Sequence, residues 1–168
     1  AIARLWLLEG HKVTGWTIEQ EVYESITMSD VNEKYLPHHP LPGLDATMQL
    51  SEAINGSEIV VLALPSSVIL DVIEDVLPHL QPGHVLLDLA KGLAPGKRLI
   101  SEAIHTRLKE EGKSNSLAVL TGPTIAPEAA GGVMTTALVA SEDQAIAQRL
   151  AQTLSTPSFI LHPASDPV

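Results

Sequence analysis

Apolar and polar residues follow two periods along this chain, and the switches between them mark its elements. Ile2, Leu5, Trp6 and Leu8 fall at helical spacing with Gly10 behind them as a C′ residue, which predicts an opening helix. Residues 13–16 read as a short strand after the turn-like Gly10-His11, and 19–26 as a helix with Val22 and Ile26 four apart. The polar, proline-containing stretch 29–42 is a loop long enough to be functional or lid-like. Ser51 suits the N-cap of a short helix that Asn55-Gly56 would end. Residues 59–64 are continuously apolar and rich in β-branched side chains, the mark of a strand covered on both faces.

Pro65-Ser66 stops that strand and starts a helix carrying Val68, Ile69, Val72, Ile73 and Val76 on one face. Gln81-Pro82-Gly83 reads as a turn, 84–89 as a strand, and 98–111 as a helix closed by Gly112. Strands follow at 117–120 and 135–140, then a capping box at Ser141-Glu142-Asp143-Gln144 opens a helix to Leu154. A last strand covers 159–161. Strands alternating with helices in this way predict an α/β fold, a doubly wound and mostly parallel sheet. The first helix begins in full amphipathic stride, with no N-cap and no initiator Met, so the chain reads as a piece cut at both ends.

Composition narrows the function classes. The 168 residues carry 20 acidic and 10 basic side chains, a formal net charge of −10, which argues against a nucleic-acid partner. Apolar residues make up 45% and charged residues 18%, a globular balance with no stretch long enough to span a membrane. Absence of cysteine excludes disulfides and thiol nucleophiles and is compatible with the cytoplasm. The histidines are scattered without metal-ligand spacing, and no G-x-S-x-G elbow is present, so no metal site or hydrolase centre is expected.

In an open α/β sheet ligands bind outside the carboxyl ends of the strands, so the residues after each apolar run deserve weight. Pro65-Ser66-Ser67 places hydroxyls at an expected helix start, where an anion is favoured, though for this motif alone a plain N-cap is the better explanation. Lys91-Gly92-Leu93 places a cation at the end of a buried strand, suited to a phosphorylated ligand or equally to a solvated turn. Gly122-Pro123-Thr124-Ile125-Ala126-Pro127-Glu128 gathers small residues that allow close approach to the backbone, with Thr124 at a helix start.

Taken in order, these pieces resemble the bacterial-type NAD(P)-dependent glycerol-3-phosphate dehydrogenases. The matching segments are Gly10-His11-Lys12-Val13 into Trp16, Asn32-Glu33-Lys34-Tyr35-Leu36-Pro37, Leu41-Pro42, Ala46-Thr47, Ala63-Leu64-Pro65-Ser66, Lys91-Gly92-Leu93 and the run 122–128. The resemblance spans essentially the whole chain and implies a single Rossmann-like NAD(P)-binding domain over 1–168, incomplete at its N-terminus. It implies a cytoplasmic oxidoreductase that interconverts dihydroxyacetone phosphate and sn-glycerol 3-phosphate for phospholipid synthesis, a homodimer when full length. Other readings remain: a hydroxyacid-type dehydrogenase of the same superfamily, or a non-catalytic nucleotide-binding module.

By that resemblance Lys91, Gly122 and Thr124 would contact substrate. Lys91, Ala126, Tyr35, Glu19 and Pro65 would lie toward the coenzyme. The glycine-rich phosphate loop would precede Ala1 and the catalytic Lys would follow Val168, so no catalytic residue is expected within the chain, which should be inactive alone. Where the family carries Arg or His two residues after the Trp, Ile18 stands here. Glu19 beside it suits a ribose 2′-hydroxyl and would repel a 2′-phosphate, giving a lean toward NAD over NADP.

Overall fold

A computed structural model describes residues 1–166. Its elements run α1 (Ile2–Leu8), β1 (Thr14–Trp16), α2 (Gln20–Ser29), β2 (Asp45–Thr47), α3 (Leu50–Ile54), β3 (Ile59–Leu62), α4 (Ile69–Val76) and β4 (Val85–Asp88). They continue with β5 (Leu93–Ala94), β6 (Arg98–Leu99), α5 (Ile100–Glu110), β7 (Ser116–Thr121), α6 (Ala126–Ala130), β8 (Thr135–Ser141), α7 (Gln144–Leu154) and β9 (Phe159–Ala164). The main sheet has the order β3-β4-β7-β8-β9. Its pairings are parallel except β7–β8, which is antiparallel. β1 and β2 form a separate parallel pair, and β5 and β6 a small antiparallel one.

Helices cover the main sheet on both faces, as the alternating pattern predicted. Val85 and Leu87 of β4 point to a core with Leu5 and Trp6 of α1, Leu150 and Leu154 of α7, and Phe159. Leu86 points the other way, against Ile69 and Ile73 of α4 and Ile104 and Leu108 of α5. Each such fully buried aliphatic side chain stabilises the fold by about 1.5–3 kcal/mol relative to its exposed state. The buried Trp6 indole N–H donates to the Leu154 carbonyl at 3.0 Å, which fixes α1 against the end of α7. A third cluster joins Val22 and Ile26 of α2 to Leu36, Leu41 and Ala130. It pins the 29–42 loop onto α2 instead of leaving it a free lid, and the Leu41 N–H donates to Asp30 O at 2.6 Å.

Several local readings are corrected by tertiary contacts. The strand buried at every position is β4, whereas β3 lies at the sheet edge with Ile59 and Val61 only partly covered. Ser51 lies inside α3, whose start is instead held by Thr47: its hydroxyl accepts from the Gln49 N–H and donates to Glu52 at 2.6 Å. Pro65-Ser66 forms a turn, and α4 begins only at Ile69. Arg98–Leu99 pairs as a strand with Leu93–Ala94 before α5 starts. Ser141 ends β8 and donates to the Leu117 carbonyl, so Asp143 caps α7, accepting from the Ala145 N–H at 2.9 Å. Gly10 and Gly112 do close α1 and α5, with φ of +85 and +64.

Candidate functional site at the carboxyl edge of the sheet

β3, β4 and β7 run parallel, so the segments leaving them, 63–68, 89–92 and 122–125, emerge along one edge. The first two touch. A Cβ added at Gly92 would lie 2.9 Å from Ser66 Oγ, and its φ of +130 is a backbone conformation that favours glycine. The second and third are joined by Lys91. Its Nζ donates to Gly122 O at 3.2 Å, Thr124 Oγ1 at 3.3 Å and Thr124 O at 3.4 Å. The expected convergence of Lys91 with Gly122 and Thr124 is therefore observed across a sequence separation of more than thirty residues. The ammonium is solvent-exposed, its three acceptors are neutral, and it forms no salt bridge among the described residues.

Thr124 precedes α6, whose first turn contains Ala126, Pro127 and Glu128; Ile125 is the N-cap. Thr124 thus lies two residues before the helix and not at its cap, its N–H turned back to Gly122 O at 2.9 Å. Ala129 and Ala130 bury the far side of α6, and the Arg4 guanidinium donates to Ala130 O at 2.9 Å. The 122–128 run is consequently held against α1. Beside Gly122 opens a cleft of about 330 Å³ lined by Thr121, Pro123, Thr136, Leu138 and His162. A larger cleft of about 380 Å³, lined by His105, Lys109, Ser116 and Asp143 among others, lies at the opposite edge of the sheet, where β7 begins.

Asp88, at the end of β4, was not singled out by the sequence. It is only 2% exposed, and its Oδ1 accepts from the Ala90 N–H at 2.8 Å, shaping the turn that delivers Lys91. Burial pushes its carboxyl up to about 6 from an ordinary 3.8. Between those values the folded state holds a proton that the unfolded chain has lost, so stability falls as pH rises through that window. Above it the ionised carboxylate remains a cost of up to about 3 kcal/mol. Asp88→Asn, which keeps an oxygen for the Ala90 N–H, is expected to raise the unfolding free energy by that amount at pH 7.5. The gain should disappear at pH 3.5; urea denaturation at both pH values checks it, and an equal effect at both refutes it.

Glu19 and Tyr35 meet at the end of β1. The Tyr35 hydroxyl donates to Glu19 Oε1 at 2.7 Å, and Lys34 donates to the carboxylates of both Glu19 and Glu21. Hydrogen bonds from Lys34 and Tyr35 hold the Glu19 carboxyl below its ordinary value. The Lys34 ammonium and the Tyr35 hydroxyl are both pushed up, chiefly by Glu19. Ile18 is 75% exposed and contributes no charge. This cluster shares no hydrogen bond with the Lys91 group among the described residues, and Pro65 lies exposed in the turn after β3. Lys34 joins the Glu19 cluster only through folding. Among the described residues no group of three His, Asp or Glu is placed to hold a metal ion.

A cation and two glycine-dependent turns at the carboxyl edge of a doubly wound, mostly parallel sheet fit a nucleotide-binding type of α/β domain. Comparison with known proteins gives its lineage: the chain belongs to the family described as NAD-dependent glycerol-3-phosphate dehydrogenase N-terminus, which matches residues 1–147. A glycerol-3-phosphate dehydrogenase [NAD(P)+] of Syntrophotalea carbinolica is 36% identical over 167 residues, covering 98% of this chain and 50% of the relative. That of Geobacter sulfurreducens is 32% identical over 168 residues, covering 99% and 50%. A crystal structure of glycerol-3-phosphate dehydrogenase from Coxiella burnetii superposes with a TM-score of 0.88 at 27% identity, over 98% of this chain and 50% of that one. The chain thus spans about half the length of the relatives it matches.

Proposed function

We propose that residues 1–168 form one NAD(P)-binding domain of an enzyme that interconverts dihydroxyacetone phosphate and sn-glycerol 3-phosphate. The observation that carries this reading is the meeting of Lys91 with Gly122 and Thr124, the two motifs of the family resemblance, at the ligand-binding edge. The donor set fits a phosphorylated triose: an exposed ammonium with neutral acceptors, beside a hydroxyl and a turn without side-chain bulk. Lys91 would exchange its three neutral acceptors for a phosphoryl oxygen, a charge-assisted bond stronger than those it leaves. Thr124 and Gly122 would orient the same substrate.

The residues present also fit a dinucleotide. Glu19 and Tyr35 offer hydroxyl-binding groups at the end of β1, and Pro65 and the start of α6 at Ala126 flank the crevice. The bound nicotinamide would supply the hydride, while the protein supplies position and charge. The general acid is assigned to the half of the relatives' length that this chain does not span. No described helix is long and apolar enough to cross a membrane. A cytoplasmic homodimer is the accompanying assignment from the family resemblance, and the net charge of −10 argues against a nucleic-acid partner.

Assay of the full-length protein tests the function. Oxidation of NADH or NADPH that depends on dihydroxyacetone phosphate is expected, with little turnover of keto acids or sugar acids. Preference for one of the latter would instead place it elsewhere among dehydrogenases. The 168 residues alone are expected to show no turnover, and measurable activity from them would overturn the assignment of the general acid.

A further inference from the structure

The Glu19 cluster carries more than a ribose contact. Leu36, buried against Val22 and Ile26, anchors the loop so that Lys34 and Tyr35 stand over the N-terminus of α2. The Asn32 side chain tightens this turn by accepting from the Tyr35 N–H at 2.9 Å. Lys34 Nζ bridges Glu19 and Glu21 and lies 5.3 Å from the centre of the Tyr35 ring. Both Glu19 oxygens are thereby engaged, one by Lys34 and one by Tyr35.

On the reading that a coenzyme binds at this edge, we propose that Lys34 is a specificity-determining residue, whose ammonium offsets Glu19 and Glu21 and so admits a 2′-phosphorylated coenzyme beside the unphosphorylated one. Two carboxylates and one ammonium leave the cluster one negative charge, and without Lys34 it would carry two. A ribose hydroxyl is nearly indifferent to that difference. A phosphate, bringing about two negative charges, is not. Lys34 is also exposed on a loop, free to leave one carboxylate and bond a phosphate oxygen. Ile18, the neighbour of Glu19, is exposed and uncharged, so charge selection falls to a residue from another segment.

The test is the dissociation constant of NADH and of NADPH, measured by coenzyme fluorescence on the full-length protein and its variants. Lys34→Met is expected to weaken NADPH about 10-fold and NADH less than about 2-fold, at an effective dielectric typical of a protein surface. Lys34→Arg should restore the original ratio. Glu19→Gln should strengthen NADPH while weakening NADH. Raising salt should compress the difference between wild type and Lys34→Met for NADPH only. Equal changes for the two coenzymes in Lys34→Met would overturn the inference while leaving the coenzyme site intact. Failure of the wild-type protein to bind either coenzyme would instead overturn the underlying reading.

Discussion

Replacing Lys91 by methionine in the full-length protein is expected to lower kcat/KM for dihydroxyacetone phosphate by about 10²- to 10³-fold. The estimate follows from losing a charge-assisted bond to a doubly charged phosphoryl group, worth about 3–4 kcal/mol in a partly desolvated crevice. Stability should hardly move, because the ammonium is exposed and its internal contacts are long, 3.2 to 3.4 Å. Lys91→Arg should recover only part of the activity, since a planar fork does not reproduce a compact ammonium fanned over three acceptors. Steady-state kinetics with thermal melts on the same preparations check this. A loss below about threefold, or a loss tracking a fall in Tm, would remove Lys91 from the substrate site.

The second large effect belongs to Gly122. Its φ is +156, and a Cβ there would meet Ala137 Cα at 3.0 Å, Ala137 Cβ at 3.1 Å and the Thr136 carbonyl at 3.2 Å. These are atoms of the neighbouring strand β8, paired on both sides in the middle of the sheet, with no side-chain end to swing away. Gly122→Ala is therefore expected to cost about 2–4 kcal/mol of stability and to displace an acceptor of Lys91. Gly112→Ala is the matched control. It too has positive φ, but a Cβ there meets nothing within 4 Å, so its cost should stay near 1 kcal/mol. Urea denaturation of both variants decides it: equal losses would mean that close approach to β8 contributes nothing.

The site's two halves were legible to different degrees. Lys91 and Thr124 were each marked by following an apolar strand at the ligand-binding edge, and the family resemblance assigned both to one substrate. Lys34 was quoted only as part of a motif, because its pairing with Glu19 fifteen residues earlier depends on Leu36 folding the loop back. Asp88 lies within the strand expected over 84–89 and drew no notice, because nothing local announces that helices on both faces leave it 2% exposed.

The same division holds for the fold. The longer elements are written locally, since a period of 3.6 or 2 and a glycine at positive φ act within a turn or two of the backbone, whereas the short strands 45–47, 93–94 and 98–99 are not. Hence the helices 2–8, 20–29 and 144–154 and the main strands are visible in the order of residues. Pairing is not local. Whether Ser141 caps a helix or ends a strand depends on β8 reaching Leu117 in antiparallel register, and whether Thr47 or Ser51 starts α3 depends on β2 lying beside β1. Those choices belong to packing, where hydrogen-bond partners distant in the chain compete with the near ones and win when burial leaves them no water instead.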